Sequence, residues 1–260
     1  MPSDLHHDLI LDQFTRQATP FSTASTITDA GALAMIVDAA RPARADAVLD
    51  LACGGGIVVC AFAPHVRHAT GIDLTPAMLD QATALAKQKN ATNVTFQLGD
   101  ATALPFDDAS FDIVVTRFSV HHFPHPLAAL REMRRVCAPR GRVIVVDMYA
   151  SEQPEQAAEW NRLERLRDPS HSRCLSLTEL KALFTAVELP PPGVTFYRLS
   201  DAVQNLLARS FPNPGDEQKI TAMFAAEPAT NRMGIWVRSD PDGLRYAYPV
   251  AILCSARSAG

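Results

Sequence analysis

From residue 47 onward, short apolar runs alternate with stretches that are apolar on one side only. A-V-L-D-L-A-C (47–53), H-A-T-G-I-D (68–73), N-V-T-F-Q-L-G-D (93–100), F-D-I-V-V-T-R-F (111–118) and R-V-I-V-V-D-M-Y-A (142–150) read as strands. Between the second and third runs, Met78, Leu79, Ala82, Leu85 and Ala86 recur at helical spacing, with Thr75 placed as N-cap and Pro76 at the first helical position. Leu127, Leu130, Met133 and Val136 mark another helix, which Pro139 and Gly141 are expected to stop. Nearly all-apolar strands alternating with helices predict an α/β fold whose parallel sheet is covered on both faces. Ligands of such sheets bind at the carboxyl ends of the strands.

The flanking segments follow a looser pattern. Residues 1–45 read as helical and end in the loop R-P-A-R-A-D. After residue 150, helices are expected over P-E-Q-A-A-E-W-N-R-L-E-R-L-R-D-P-S-H, broken at Asp168–Pro169, and over L-S-L-T-E-L-K-A-L-F-T-A-V-E-L, starting near Ser176 or Thr178. The prolines at 190–192 mark a boundary before the strand V-T-F-Y-R-L. D-A-V-Q-N-L-L-A-R-S-F and D-E-Q-K-I-T-A-M-F-A-A-E read as helical, and residues 234–256 as two strands joined by a Pro-Asp-Gly turn. The reading divides one domain into an N-terminal helical segment (1–45), an alternating strand–helix core (46–150) and a looser C-terminal region (151–260).

At 260 residues with 47% apolar and 20% charged side chains, the chain has ample material for a globular core. A net charge of -4 gives no basic footprint for nucleic acid, and the Arg134–Arg135 pair belongs to a solvated helix face. The N-terminus lacks the features of a signal peptide, and no apolar run nears the roughly 20 residues a bilayer requires. Five cysteines without a C-x-x-C pair point to reduced thiols in the cytoplasm and to neither a zinc site nor a disulfide framework.

The candidate chemistry begins at V-L-D-L-A-C-G-G-G-I-V-V (48–59), where Gly54, Gly55 and Gly56 follow a buried strand. Glycine there allows backbone conformations and close approaches that other residues resist. Asp73 ends the next strand, where a carboxylate accepts both hydroxyls of a ribose. The dinucleotide pattern G-x-G-x-x-G fails, because Val59 stands where the third glycine belongs. Asp50, close ahead of the turn, suits a positively charged ligand better than a pyrophosphate.

These residues resemble the class I S-adenosylmethionine-dependent methyltransferases. D-L-A-C-G-G-G (50–56) is similar to their D-x-x-x-G-x-G motif, G-I-D-L-T-P-A-M-L (71–79) to their second motif and L-G-D-A (98–101) to their third. L-P-F-D-D-A-S-F-D-I-V (104–114) and R-F-S-V-H-H-F (117–123) resemble the small-molecule branch that includes ubiquinone and menaquinone biosynthesis methyltransferases. The resemblance covers about residues 45–150. It implies a Rossmann-like, doubly wound, mostly parallel seven-stranded sheet with helices on both faces and a helical lid.

It also implies S-adenosyl-L-methionine as cofactor. Asp50, Ala52, Gly54 and Gly56 would surround its methionyl part and Asp73 its ribose. Leu74 and Met78 would pack near the adenosine, while Asp100 and Ala101 would meet the adenine. Arg117 and Phe118 would border the methionyl tail. F-T-R-Q-A-T-P-F (14–21) resembles the family's F-x-x-x-A-x-x-Y, with Phe21 covering the cofactor where a tyrosine is usual. Cys53 reads as a small filler.

Methyl transfer from a sulfonium needs alignment first, and a base only when the acceptor must lose a proton. Among His121, His122, His125 and His171, the first two are common in the resembling branch without acting as base, and His125 starts a helix. His171 in R-D-P-S-H-S-R is therefore the expected catalytic base, with Arg173 and His122 as acceptor contacts. Phe184, Phe196, Tyr197, Phe211, Met223, Phe224 and Trp236 supply aromatic and apolar material for the core and for an apolar acceptor pocket. The expected partner is a small-molecule acceptor, with no nucleic acid and no metal, for a monomer or homodimer. A missing Y-x-x-x-K pair argues against a nicotinamide oxidoreductase, and T-R-F-S after the fourth strand against a nucleic-acid methyltransferase. An alternative is a protein that binds S-adenosylmethionine only to hold it or to steer a non-methylating rearrangement.

Overall fold

The computed structural model describes residues 2–259. Strands β1 (Ala47–Leu51), β2 (His68–Asp73), β3 (Val94–Leu98), β4 (Phe111–Arg117) and β5 (Cys137–Met148) run parallel in the order β3-β2-β1-β4-β5. Strand β8 (Gly243–Ala256) joins β5 antiparallel, and β6 (Gly193–Ala202) lies antiparallel on the other side of β8. β7 (Trp236–Asp240) pairs with the start of β8. The sheet therefore has eight strands rather than seven, because β8 is long enough to take both β5 and β7 along one edge.

Alternate strand residues feed two cores. Val48, Ile113, Val115, Ile144 and Val146 face one side, packing with residues of α2 (Ala30–Ala40), α3 (Ile57–Phe62), α6 (Pro154–Arg167) and α9 (Asp216–Thr230). Leu49, Val114, Val143 and Val145 face the other, against α5 (Pro126–Val136) and α7 (Leu177–Ala186). β1 is buried throughout, Asp50 included, whereas β3 at the parallel edge is only half-buried. The capping box at Ser176–Glu179 starts α7 where expected.

Several boundaries depart from expectation. α5 ends at Val136 and the chain enters β5 at once, so Pro139 and Gly141 lie inside a strand. They fit there because the β4–β5 register jumps from Phe111–Cys137 to Ile113–Arg142, leaving an irregular segment outside the ladder. Thr75 is the backbone N-cap of α4 (Pro76–Gln88), but its hydroxyl makes no capping bond. α8 (Val203–Ala208) stops short of the run predicted for it. α1 (Pro2–Ser22) lies beside α4, with Gln81 Nε2 donating to Thr19 Oγ1 at 3.4 Å. Among the described residues, no helix is long and apolar enough to cross a membrane.

Candidate functional site

At the carboxyl ends of β1 and β4, the chain turns through the left-handed backbone region four times: Ala52 (φ 50°), Gly54 (φ 51°), Gly56 (φ 73°) and Phe118 (φ 55°). For alanine and phenylalanine this conformation costs on the order of 1–3 kcal/mol, and such strain concentrates at functional sites. The turn after β1 is fixed to β2 by Asp73. Its Oδ2 accepts from Gly54 N at 2.8 Å and its Oδ1 from Thr75 N at 2.9 Å.

A cavity of about 460 Å³ opens over these strand ends, within the size range of small-molecule sites. Asp50, Ala52 and Gly54 line it from the first turn, and Asp73, Leu74 and Met78 from the second. Asp100 and Ala101 contribute beyond β3, and Arg117, Phe118 and His122 beyond β4. Phe21 and Phe14 of α1 also line it, their rings meeting edge to face at 6.5 Å. Asp100 accepts from Thr102 N at 2.7 Å and stands 3.7 Å from His7 Nε2 of α1.

Its electrostatics select for a particular ligand. Three carboxylates and one guanidinium line the wall, which favours positive charge. Burial, then the charge of Asp73, raises the Asp50 pKa well above the carboxylate range, with Arg117 opposing. Asp50 Oδ1 is sealed from water and has no partner. Arg117 donates from Nη1 to Ile27 O at 2.8 Å, yet its Nε and Nη2 are buried without acceptors. An unmet carboxylate oxygen and two unmet guanidinium donors in one cavity ask for a ligand carrying an ammonium and a carboxylate. Burial also raises the Asp73 pKa, opposed by the N–H groups of Thr75 and Gly54.

Three predicted site residues lie off this cavity. Gly56 caps α3, and a Cβ there would stand 2.8 Å from Ala82 Cβ and 2.9 Å from the Phe96 ring, so close packing is what requires glycine. His171 is buried, not a solvated loop histidine, and its Nε2–H donates to Asn161 Oδ1 at 2.8 Å. Burial and the neighbouring His121 and His122 drive its pKa well down. His171, expected as the base, thus lines neither cavity described here, and its Nε2 is engaged by Asn161. Arg173 is half-exposed and pairs with Glu179 at 2.7 Å, away from both cavities described here.

A second cavity of about 60 Å³ adjoins the first and shares Phe14, Phe21, Ile27, Phe118 and His122 with it. Its far wall carries groups the sequence did not single out. Arg167 pairs with Glu164 at 2.6 Å, Tyr248 donates to Glu164 at 2.6 Å, and Arg209 donates to Tyr246 at 3.0 Å. His121 Nδ1 lies 2.6 Å from Asp147 Oδ1. The resemblance considers His121 and sets it aside as a base; the sequence signal for its partner is an acid inside the apolar run V-I-V-V-D-M.

Comparisons with known proteins agree with this geometry. Residues 49–145 match the family described as "Methyltransferase domain". The chain is 35% identical over 206 residues to "Uncharacterized methyltransferase YcgJ" of Bacillus subtilis (strain 168), covering 79% of this chain and 81% of that protein. The crystal structure of that Bacillus protein matches with a TM-score of 0.81 at 31% identity, over 88% of this chain and 99% of the other. A demethylmenaquinone methyltransferase of Lactococcus lactis subsp. lactis (strain IL1403) is 35% identical over 103 residues, 38% of this chain and 41% of that protein.

Proposed function

Because the chain belongs to the S-adenosylmethionine-dependent methyltransferases, we propose that it methylates a small, partly apolar metabolite, such as a quinone, a phenol or a related natural product. The observation that carries this reading is the sealed, unpartnered Asp50 Oδ1 in one cavity with the two unsatisfied donors of Arg117. Asp50 would accept from the ammonium of the methionyl part and Arg117 would donate to its carboxylate. Asp73, already anchoring Gly54, would use its remaining lone pairs for the ribose hydroxyls. Asp100 would accept from the adenine amino group, displacing the His7 contact, while Leu74 and Met78 pack against the nucleoside. Bound there, S-adenosylmethionine supplies a methyl group activated by a sulfonium.

The chain's own contribution is alignment and dryness. Phe14 and Phe21 of α1 and Phe118 after β4 wall off the junction between the cavities. Holding two reactants at near-attack distance is worth up to about 7–11 kcal/mol. The apolar junction and the small second cavity favour an acceptor whose reacting end is compact. Residues 1–45 act as the lid in this reading, with His6 Nε2 donating to His122 O at 2.7 Å in the closed position.

The test is incubation with methyl-labelled S-adenosylmethionine and a panel of quinols, phenols and enols. S-adenosylhomocysteine and a labelled acceptor are the expected products. Tight cofactor binding with no S-adenosylhomocysteine from any acceptor would instead favour a protein that binds the cofactor or steers a rearrangement with it.

A further inference from the structure

The second cavity contains an arrangement that holding the cofactor does not require. His121 sits in a short helical turn after β4, and Asp147 lies near the end of the neighbouring strand β5. The Asp147 carboxylate receives the ring Nδ1–H at 2.6 Å and the His121 backbone N–H at 3.2 Å, fixing both the tautomer and the plane of the ring. Nε2 has no hydrogen-bond partner among the described residues, and the residue lines the second cavity. The neighbouring charged and phenolic groups are engaged with one another: Glu164 with Arg167 and Tyr248, and Arg209 with Tyr246.

We propose that His121, positioned by Asp147, takes the proton from an acidic hydroxyl, a phenol or an enol, whose oxygen is then methylated. This rests on the methyltransferase reading above. The acceptor O–H bond breaks and its proton passes to His121 Nε2. The oxygen's electron pair forms the new bond to the methyl carbon, and the electrons of the carbon–sulfur bond stay on sulfur as a neutral thioether. His121 then returns its proton to solvent. Per turnover, one acceptor and one S-adenosylmethionine give one methyl ether, one S-adenosylhomocysteine and one proton.

The resemblance sets both His121 and His122 aside as bases, but the structure separates them by the partner at Nδ1, a carboxylate for His121 and a neutral carbonyl for His122. His122 also lines the junction, but its Nδ1 is held by Ser170 O at 3.1 Å, and burial with the His121 charge pushes its pKa down to about 4. So weak a base leaves a phenol protonated. Burial alone would lower the His121 pKa too, but the Asp147 carboxylate overrides it and holds the ring above the ordinary imidazole value. Glu164 and Arg167 of α6 act on it in opposite directions, and the rings of His122 and His171 stand 4.3 and 5.5 Å away. An imidazole in that range is matched to a phenol or enol near pKa 10 and not to a simple alcohol. At about 60 Å³ the cavity admits the hydroxyl end of the acceptor, while the bulk stays toward the larger cavity.

The probe is 4-nitrophenol, whose anion absorbs visible light and whose neutral form does not. It is titrated into the full-length protein saturated with S-adenosylhomocysteine, at a pH below its own solution pKa. The expected result is a saturable visible band in the wild type and none in His121→Gln, with S-adenosylhomocysteine affinity within twofold of wild type as the check that the variant is folded. Asp147→Asn moves formation of the band to higher pH. Turnover of any hydroxyl acceptor falls about 10²–10⁴-fold in His121→Gln and recovers partly as pH rises. A failure of the probe to bind, a bound probe that stays neutral in the wild type, or an equal band in His121→Gln would overturn the proposal. Loss of S-adenosylhomocysteine binding by the wild type would instead overturn the methyltransferase reading.

Discussion

The two cavities meet at the junction beside Phe118, yet they are built from different materials. The larger is organised by main chain: Gly54, Thr75 and Thr102 N–H groups tie down Asp73 and Asp100, all within residues 50–102. The smaller is organised by side chains drawn from residues 121 to 248, bonded to one another across the fold as Glu164–Arg167–Tyr248 and His121–Asp147. Main-chain sites keep their shape when a ligating side chain is changed. Buried charge networks do not, because removing one partner leaves the other uncompensated. The first cavity should therefore lose ligand before stability, and the second should lose stability first.

The largest expected break is Glu164→Ala. Glu164 is fully buried and satisfies both Arg167 and Tyr248, so its removal should cost about 3–5 kcal/mol in urea or thermal unfolding. A loss under 1 kcal/mol would mean the network carries little of the fold. Next is Asp73→Ala, which removes a charged acceptor from the ribose position and from Gly54 N–H. Hydrogen bonds to charged groups are worth about 1.5–3 kcal/mol, so S-adenosylhomocysteine affinity should fall roughly 10- to 100-fold by calorimetry. Unchanged affinity would detach this acid from the cofactor.

A smaller effect separates the two central glycines. Gly56→Ala meets Ala82 and Phe96 at under 3 Å and should lower stability by about 1–3 kcal/mol. Gly54→Ala meets only Met78 Sδ at 3.9 Å, so it should cost mainly backbone strain and show its effect in cofactor affinity. Equal stability losses would remove the distinction between packing glycine and site glycine.

The smallest effect is a proton. With its pKa raised by burial and by Asp73, Asp50 binds its proton more tightly in the folded than in the unfolded chain. Its contribution to stability therefore declines as pH rises from the ordinary carboxylate range through the raised value. A bound ammonium favours the ionised form and releases that proton. Calorimetric binding enthalpy of S-adenosylmethionine should vary with buffer ionisation heat in the wild type at mildly acid pH. The same dependence in Asp50→Asn would argue against Asp50 as the ammonium partner.

This contrast also explains how much was legible in the sequence. The strands and the first cavity lie in contiguous, ordered motifs, so Asp50, Gly54, Asp73, Asp100 and Arg117 could be placed at one sheet edge from spacing and resemblance. The strained Ala52 and Phe118 were not legible as such, since neither residue type signals a left-handed backbone. The segment R-D-P-S-H-S-R is polar in sequence, yet it is largely buried. Its polar groups satisfy themselves: Ser170 N and Oγ donate to Asp168 Oδ1, and Gln17 Nε2 to Asp168 Oδ2 at 3.0 Å. Contacts such as Gln17–Asp168 and Tyr248–Glu164, 151 and 84 residues apart, leave no local pattern, and the second cavity was missed for that reason. The β7–β8 hairpin was legible as two strands joined by a Pro-Asp-Gly turn; the count of seven came from the resemblance, which made no provision for β7 on the start of β8.

The most direct measurement is calorimetric titration of the full-length protein with S-adenosylhomocysteine, beside nicotinamide adenine dinucleotide as control. The account predicts one saturable site for the first ligand, weakened at least tenfold in Asp73→Ala, and no binding of the second. Absence of binding by S-adenosylhomocysteine, or tight binding of the dinucleotide, would contradict it.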